Sequence, residues 1–381
     1  MLPAARAALL EQLEQVGNPS SIHAAGRRAR RVVEEARERL AAAIGAHRSE
    51  VIFTSGGTEA DNLAVKGAYA ARVGADPTRR RVVVSGVEHH AVLDAAEHLA
   101  RTANATVDFV EPDAGGAICP DALAHVLGDG ADVAVASLVW ANNEIGTISP
   151  MVELAAVARE RGVTLHSDAV QAVGHIPVDF AASGLDLMTL TGHKLGGPIG
   201  AGALIARRDA TLEPLLHGGG QERGVRSGTV DAPAVWALAS AVEESVANLT
   251  AESVRLITLR DRLIHGALAL DLDVRVTGHW TPGSAADRLP GNVHLRVPGA
   301  DGDSLLFLLD EAGIACATGS ACSAGVPRPS HVVLALGIPE ADAHGSLRLT
   351  LGHTSTEADV DAALAALPTA IERARRAKGA S

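Results

Sequence analysis

Cys322 lies in Ala317-Thr-Gly-Ser-Ala-Cys-Ser-Ala-Gly325, a small-residue loop with no apolar periodicity that would bury it. A thiol that reaches solvent can react as a thiolate, whereas a packed one cannot. Cys316, in the strand-like Ile314-Ala-Cys-Ala317, reads instead as a small core residue. Lys194 follows Leu187-Met-Thr-Leu-Thr-Gly-His193, just past an apolar strand, where burial would lower its pKa and allow a Schiff base. Taken alone, Gly-His-Lys is more often a solvated turn. Asp168 comes directly after another apolar strand, where a carboxylate is costly without a partner. A protonated pyridine nitrogen would be such a partner and would make its ring an electron sink. On spacing alone, a helix N-cap is the commoner use of such a residue. The run Phe53-Thr-Ser-Gly-Gly-Thr-Glu-Ala-Asp-Asn62 passes from strand to helix, with Gly57 and Thr58 where backbone N–H groups could hold a phosphate. A helix capped by Ser55 or Thr58, with Glu59 and Asp61 in its first turn, explains the same run equally well.

No metal site is expected. The spacing from Cys316 to Cys322 matches no zinc pattern, and His193, His217 and His353 stand isolated.

The elements that must position these residues are legible from about residue 30 to 210. Helical patterns there alternate with short β-branched runs at 81–85, 132–138, 163–167 and 186–190, which reads as βα units around a mostly parallel sheet. Each strand ends in a polar cluster: Glu88-His89-His90, Asn142-Asn143-Glu144, Asp168 with Gln171, and Thr191-Gly192-His193-Lys194. Ligands of open α/β sheets sit at the carboxyl ends of strands, so these clusters are expected to converge on one site. A helical stretch from Pro233 to about Leu270, broken near 248–251, leads into a shorter α/β region with strands near 292–297 and 346–351. The division expected is a large domain over 1–250 and a small C-terminal domain over 251–381 that carries the Cys322 loop.

Composition narrows the classes. With 381 residues, 47% hydrophobic and 2% aromatic, the interior must be built from Ala, Val, Leu and Ile, which suits helices on a parallel sheet. A net charge of −12, with no basic block beyond Arg27 to Arg31, argues against direct nucleic-acid binding. The apolar stretch Val133 to Ala141 is far short of the ~20 residues of a membrane helix, and the acidic start does not read as a signal peptide. Three cysteines form no disulfide framework, so a soluble, cytoplasmic protein in a reducing compartment is expected.

Six segments in order, Glu88-His-His-Ala-Val92, Asn142-Asn-Glu-Ile-Gly146, His166-Ser-Asp-Ala-Val-Gln171, Gly192-His-Lys194, Arg226-Ser-Gly-Thr229 and Gly319-Ser-Ala-Cys322, resemble the NifS/IscS-like cysteine desulfurases of the class V aminotransferase group. The resemblance extends from Asn18-Pro-Ser-Ser-Ile-His23 to Leu351-Gly-His-Thr-Ser-Thr-Glu357. It implies the pyridoxal-phosphate-dependent transferase fold of type I, with a seven-stranded, mostly parallel sheet in the large domain. By the same resemblance Lys194 carries the cofactor, Asp168 faces its ring nitrogen, and His89 stacks on the ring and moves protons. Asn143 and Gln171 flank the phenolic oxygen; Gly57, Thr58, Thr191 and His193 match the phosphate site. Thr229 matches a phosphate contact supplied by a neighbouring subunit, which implies a homodimer. Arg348 matches the arginine that clamps the substrate carboxylate, for which a planar bidentate donor is suited.

The implied reaction has L-cysteine displace Lys194 from the cofactor and lose its α-proton. Its sulfur then passes to the Cys322 thiolate, leaving a persulfide and releasing alanine. A sulfur acceptor such as an iron–sulfur scaffold or a tRNA-thiolation enzyme would follow. The family also opens with a short Asn/His-Ala-Ala-Thr-Thr segment that would precede Met1, and many of its members have arginine where His353 stands here. The competing expectations are another class V enzyme, such as a selenocysteine lyase or an aminotransferase, and a silent sulfur-relay subunit. The thiol in the Gly-Ser-Ala-Cys loop speaks against an aminotransferase, since transamination needs no thiol nucleophile.

Overall fold

The computed structural model describes residues 1–319 and 329–379. Two compact units divide the chain, the first made of 1–110, 118–140 and 150–249, the second of 111–117, 141–149 and 250–381. The second unit therefore takes in Asn142, Asn143 and Glu144, which lie far from its main segment in sequence.

The first unit is built on strands β1 (Val51–Thr54), β2 (Arg81–Ser85), β3 (Thr106–Val110), β4 (Val133–Ser137), β5 (Leu165–Asp168), β6 (Leu187–Thr191) and β7 (Gly202–Ala206). They form one seven-stranded sheet in the order β1-β7-β6-β5-β4-β2-β3. The four pairings from β6 to β3 are parallel; β7 runs antiparallel to both its neighbours, β6 and β1. Every residue of β1, β4, β5, β6 and β7 is buried, as expected for strands covered on both faces. Helices α1 (Pro3–Leu13), α2 (Ala24–Ala43), α3 (Gly57–Asn62), α4 (Ala68–Ala75), α5 (His90–Ala103), α6 (Pro120–Leu127), α7 (Met151–Glu160), α8 (Phe180–Ser183) and α9 (Ala232–Ala247) complete the unit. Its core joins Ile52, Val82, Val84, Val135, Leu187 and Leu204 of the sheet to Leu63, Tyr69, Val92 and Leu99 of the helical layer. Local chemistry sets the boundaries: Asp231 caps α9 by accepting from the Ala234 N–H at 3.0 Å, and Asn248 closes it.

In the second unit β8 (Arg275–Val276), β9 (Asn292–Arg296) and β10 (Ser346–Thr350) make an antiparallel sheet in the order β10-β9-β8. Helices α10 (Leu249–Leu268), α11 (Gly302–Glu311), α12 (His331–Ala335), α13 (Glu340–Ala343) and α14 (Glu357–Gly379) accompany it. Leu263, Ile264, Val293, Leu295, Leu305, Leu309, Leu347 and Ile371 are its buried core.

Two local expectations need correction. The cap of α3 is Gly56, at φ 150°, with no side-chain hydrogen bond, so neither Ser55 nor Thr58 caps it. The Ser55 N–H is instead taken by Glu59 Oε2 at 2.8 Å, because Glu59 is already fixed by Arg226. Cys316 lies outside any strand and is half-buried against the second unit's core, where burial pushes its thiol up to about 11.

Candidate active site

At the carboxyl ends of the first unit's parallel strands, β5 delivers Asp168 and β6 delivers Thr191, followed by a single 3-10 turn, Gly192–Lys194. Asp168 is 6% exposed, and its Oδ1 accepts from the Val170 N–H at 2.9 Å. Burial pushes this carboxyl up to about 6, against the pull of the Val170 N–H and the Lys194 charge. Lys194 is exposed, where the sequence suggested burial, and its charge acts on the buried Asp168 carboxyl.

The start of α3 lies against this pair. A Cβ on Gly57 would come within 3.1 Å of Val170 Cγ2 and 3.7 Å of Thr191 Cβ, so a side chain here would make Val170 give way by a few tenths of an ångström. Thr191 Oγ1 is 3.2 Å from His193 Nδ1, and both burial and Lys194 lower the His193 pKa. Thr58 is exposed on the first turn of α3. Arg226 is paired with Glu59 at 2.7 Å, which ties the exposed Thr229 segment to α3. Gln171 follows in the turn after Asp168, half-buried.

His89 caps α5: its Nδ1 accepts from the Ala91 N–H at 3.1 Å. With Nδ1 committed as an acceptor, the neutral ring carries its proton on Nε2. Glu88, fully buried, accepts from Ser85 Oγ at 2.7 Å and from the Val139 N–H at 2.6 Å, which fixes the turn that presents His89.

The second unit holds the remaining residues. Arg348 Nη1 on β10 donates to the Asn143 carbonyl at 3.1 Å, which brings these two predicted residues together. Asn142 Oδ1 accepts from the N–H groups of Glu144 and Ile145 and so shapes the turn that carries Asn143. Burial lowers the Arg348 pKa and the Glu144 carboxylate raises it. Ser330 Oγ donates to Glu144 Oε2 at 2.5 Å, and Ala317 pairs with Arg348. Cys322 lies outside the described residues.

Among the described residues no cluster of His, Cys, Asp and Glu is arranged to hold a metal. The donor set does fit pyridoxal phosphate. It offers a buried acid with raised proton affinity, an exposed lysine beside it, and a glycine-opened helix start flanked by Thr191 and His193. Sequence reasoning assigned no role to Ser330, had Glu144 only as part of a strand-end cluster, and put Asp61 in the first turn of α3, whereas it lies in the last; the signal for it was an acid on the apolar face, between Ala60 and Leu63 and Ala64.

Residues 3–363 match the family model described as Aminotransferase class-V. An IscS-like cysteine desulfurase of Mycobacterium tuberculosis is 54% identical over 377 residues, 99% of this chain and 95% of that protein. Cysteine desulfurase IscS of Methanosarcina thermophila is 41% identical over 95% of this chain and 87% of its own. A solved NifS-like protein superposes with a TM-score of 0.87 at 29% identity, over 98% of this chain and 96% of that one.

Proposed function

Because this chain belongs to the class-V aminotransferase family, a pyridoxal-phosphate-dependent one, we propose that it is a cysteine desulfurase: it removes the sulfur of L-cysteine, releases L-alanine and carries the sulfur on Cys322. The observation that carries this reading is a buried Asp168 and an exposed Lys194 whose charge acts on it, at neighbouring strand ends.

Pyridoxal phosphate, when bound, supplies a carbonyl that condenses with amines and a ring that withdraws electrons from the substrate carbon. Lys194 holds it; Asp168, ionised, keeps the ring nitrogen charged. Gly57, Thr58, Thr191 and His193 hold the phosphate, with Thr229 contributed by a second copy in a homodimer. By the family resemblance, His89 would stack on the ring, and Asn143 and Gln171 would flank its phenolic oxygen. Arg348 binds the substrate carboxylate through its planar fork, and Asn143 helps to orient it. The Lys194 amine would take the α-proton of the substrate. The Cys322 thiolate then attacks the substrate sulfur: the S–S bond forms, the C–S bond breaks, and the electron pair left on carbon takes a proton, with His89 Nε2 as its donor. The persulfide passes on to an acceptor protein, an iron–sulfur scaffold or a tRNA-thiolation enzyme, in the cytoplasm.

The test is alanine and sulfide release from L-cysteine with a reductant, for the wild-type chain and Cys322→Ala, with cofactor absorbance followed in both. Turnover by the wild type alone, with both chains binding cofactor and cysteine, supports the reading. Equal alanine release by both would make the chain a lyase that needs no sulfur-accepting thiol.

A further inference from the structure

Beneath Asp168 runs a row of buried polar side chains, one from each of three adjacent strands: Ser137 on β4, His166 on β5 and Thr189 on β6. His166 Nδ1 is 2.8 Å from Ser137 Oγ, and its Nε2 is 3.0 Å from Thr189 Oγ1. Asp61, 1% exposed in the last turn of α3, closes the row. One of its oxygens shares a hydrogen bond with Thr189; Oδ1 lies 3.7 Å from His166 Nε2 and receives no hydrogen bond from any described residue.

Among the described residues no cation pairs with Asp61. His166 has both nitrogens engaged by hydroxyls, and burial drives its pKa to about 3, so it is neutral at pH 7. The charged groups that face Asp61 are Asp168 from β5 and Glu88 from the turn before α5, both of the same sign. Lys194, after β6, acts on Asp168. On α3 itself, Glu59 is committed to Arg226. Three mutually facing buried carboxyls, of which only Asp168 has a nearby lysine charge, cannot all be ionised. Asp168 has the lysine and a backbone donor, so it is the member that ionises first; Asp61 has neither and is the one that stays neutral.

We propose that Asp61 is a positioning residue for the cofactor: a neutral acid behind Asp168 whose proton orders the row Thr189–His166–Ser137 and leaves Asp168 as the ionised group facing the ring nitrogen. The carboxylic proton is donated to Thr189 Oγ1, Thr189 donates to His166 Nε2, and His166 Nδ1–H donates to Ser137 Oγ. The same contact ties α3, which begins at the phosphate cradle, to β5 and β6, which carry Asp168 and Thr191. The inference rests on reading Asp168 as the acid that faces the cofactor nitrogen.

The direct test is infrared spectroscopy of the wild-type apoprotein at neutral pH with ¹³C-labelled aspartate, which separates the Asp carbonyls from Glu88. A protonated aspartic acid band is expected in the wild type and absent from Asp61→Asn. Pyridoxal phosphate titrations then separate neutral from ionised action. Asp61→Asn, which keeps a donor without charge, should bind within about twofold of the wild type, and Asp61→Ala about tenfold more weakly. Wild-type protein that binds the cofactor yet shows no protonated aspartate overturns the proposal, as does equal weakening by Asn and Ala. Wild-type protein that binds no cofactor overturns the underlying reading of Asp168 as well, so the two failures are distinguishable. Absence of the band in the wild type overturns the proposal without any variant, and a band that is present is assigned to Asp61 by its loss in Asp61→Asn or, should that variant misfold, in Asp61→Ala.

Discussion

At the scale of single residues, the proposed site divides into groups assigned to react and groups assigned to hold. Lys194 is exposed next to Asp168, so Lys194→Ala should leave the fold unchanged while turnover falls by at least ~100-fold, as expected when a proton-moving amine is lost. Thermal melting and alanine release, measured on one preparation, check both halves of that statement. Arg348 is different, because its planar fork is held by the Asn143 carbonyl and attracted by Glu144. Arg348→Lys keeps the charge and loses the fork, so KM for L-cysteine should rise about tenfold with kcat changed much less. Steady-state kinetics read that split. These residue types and their order were legible in the sequence, since six short motifs carried them. Their environments were not. The sequence suggested a buried Lys194, and the structure exposes it, because the 3-10 turn Gly192–Lys194 lifts it off the end of β6.

At the scale of elements, the strand-end clusters work because short turns leave little freedom at the ends of buried strands. The approach of α3 to β6 depends on Gly57, whose missing Cβ leaves room for Val170 Cγ2. Gly57→Val should therefore weaken cofactor retention about tenfold, measured by dialysis and absorbance, and leave the melting of the second unit unchanged. The runs at 81–85, 132–138, 163–167 and 186–190 announced strands that the structure places at 81–85, 133–137, 165–168 and 187–191, since continuous apolar β-formers bounded by turns have few other uses. The reversed direction of β7 was not legible: its residues, Gly202–Ala206, look like those of any buried strand, and chain direction is set by the tight return from Lys194. Nor did the sequence reveal that 141–149 belongs to the second unit, because that assignment depends on long-range bonds such as Leu289 N–H to the Gly146 carbonyl at 2.8 Å.

At the scale of the whole molecule, buried ionisable groups give the two units different responses to pH. His294 is fully buried on β9, opposite Arg348, and burial together with Arg288, Arg348 and Arg296 lowers its pKa to about 3. An unfolded histidine titrates near ~6.5, so the stability His294 contributes is complete above that value and is lost as pH falls from there toward 3. In the first unit His166 acts in the same direction, while Asp168, raised to about 6, acts in the opposite one. Its contribution is complete below ~3.9 and is lost as pH rises through about 6. His294→Leu should therefore flatten the loss of melting temperature between about pH 6.5 and pH 4, which calorimetry across that range would record. A steep loss persisting in the variant would place the acid sensitivity elsewhere.

The central claim is that sulfur leaves L-cysteine for Cys322. It is tested most directly by one turnover of the cofactor-loaded protein with ³⁵S-labelled cysteine, followed by alkylation and mass spectrometry of the peptide that contains Cys322. One additional labelled sulfur on Cys322, matched by one alanine released, is the result the account predicts. Alanine released with free sulfide and an unmodified Cys322, or with the label on Cys316 or Cys119, would contradict it.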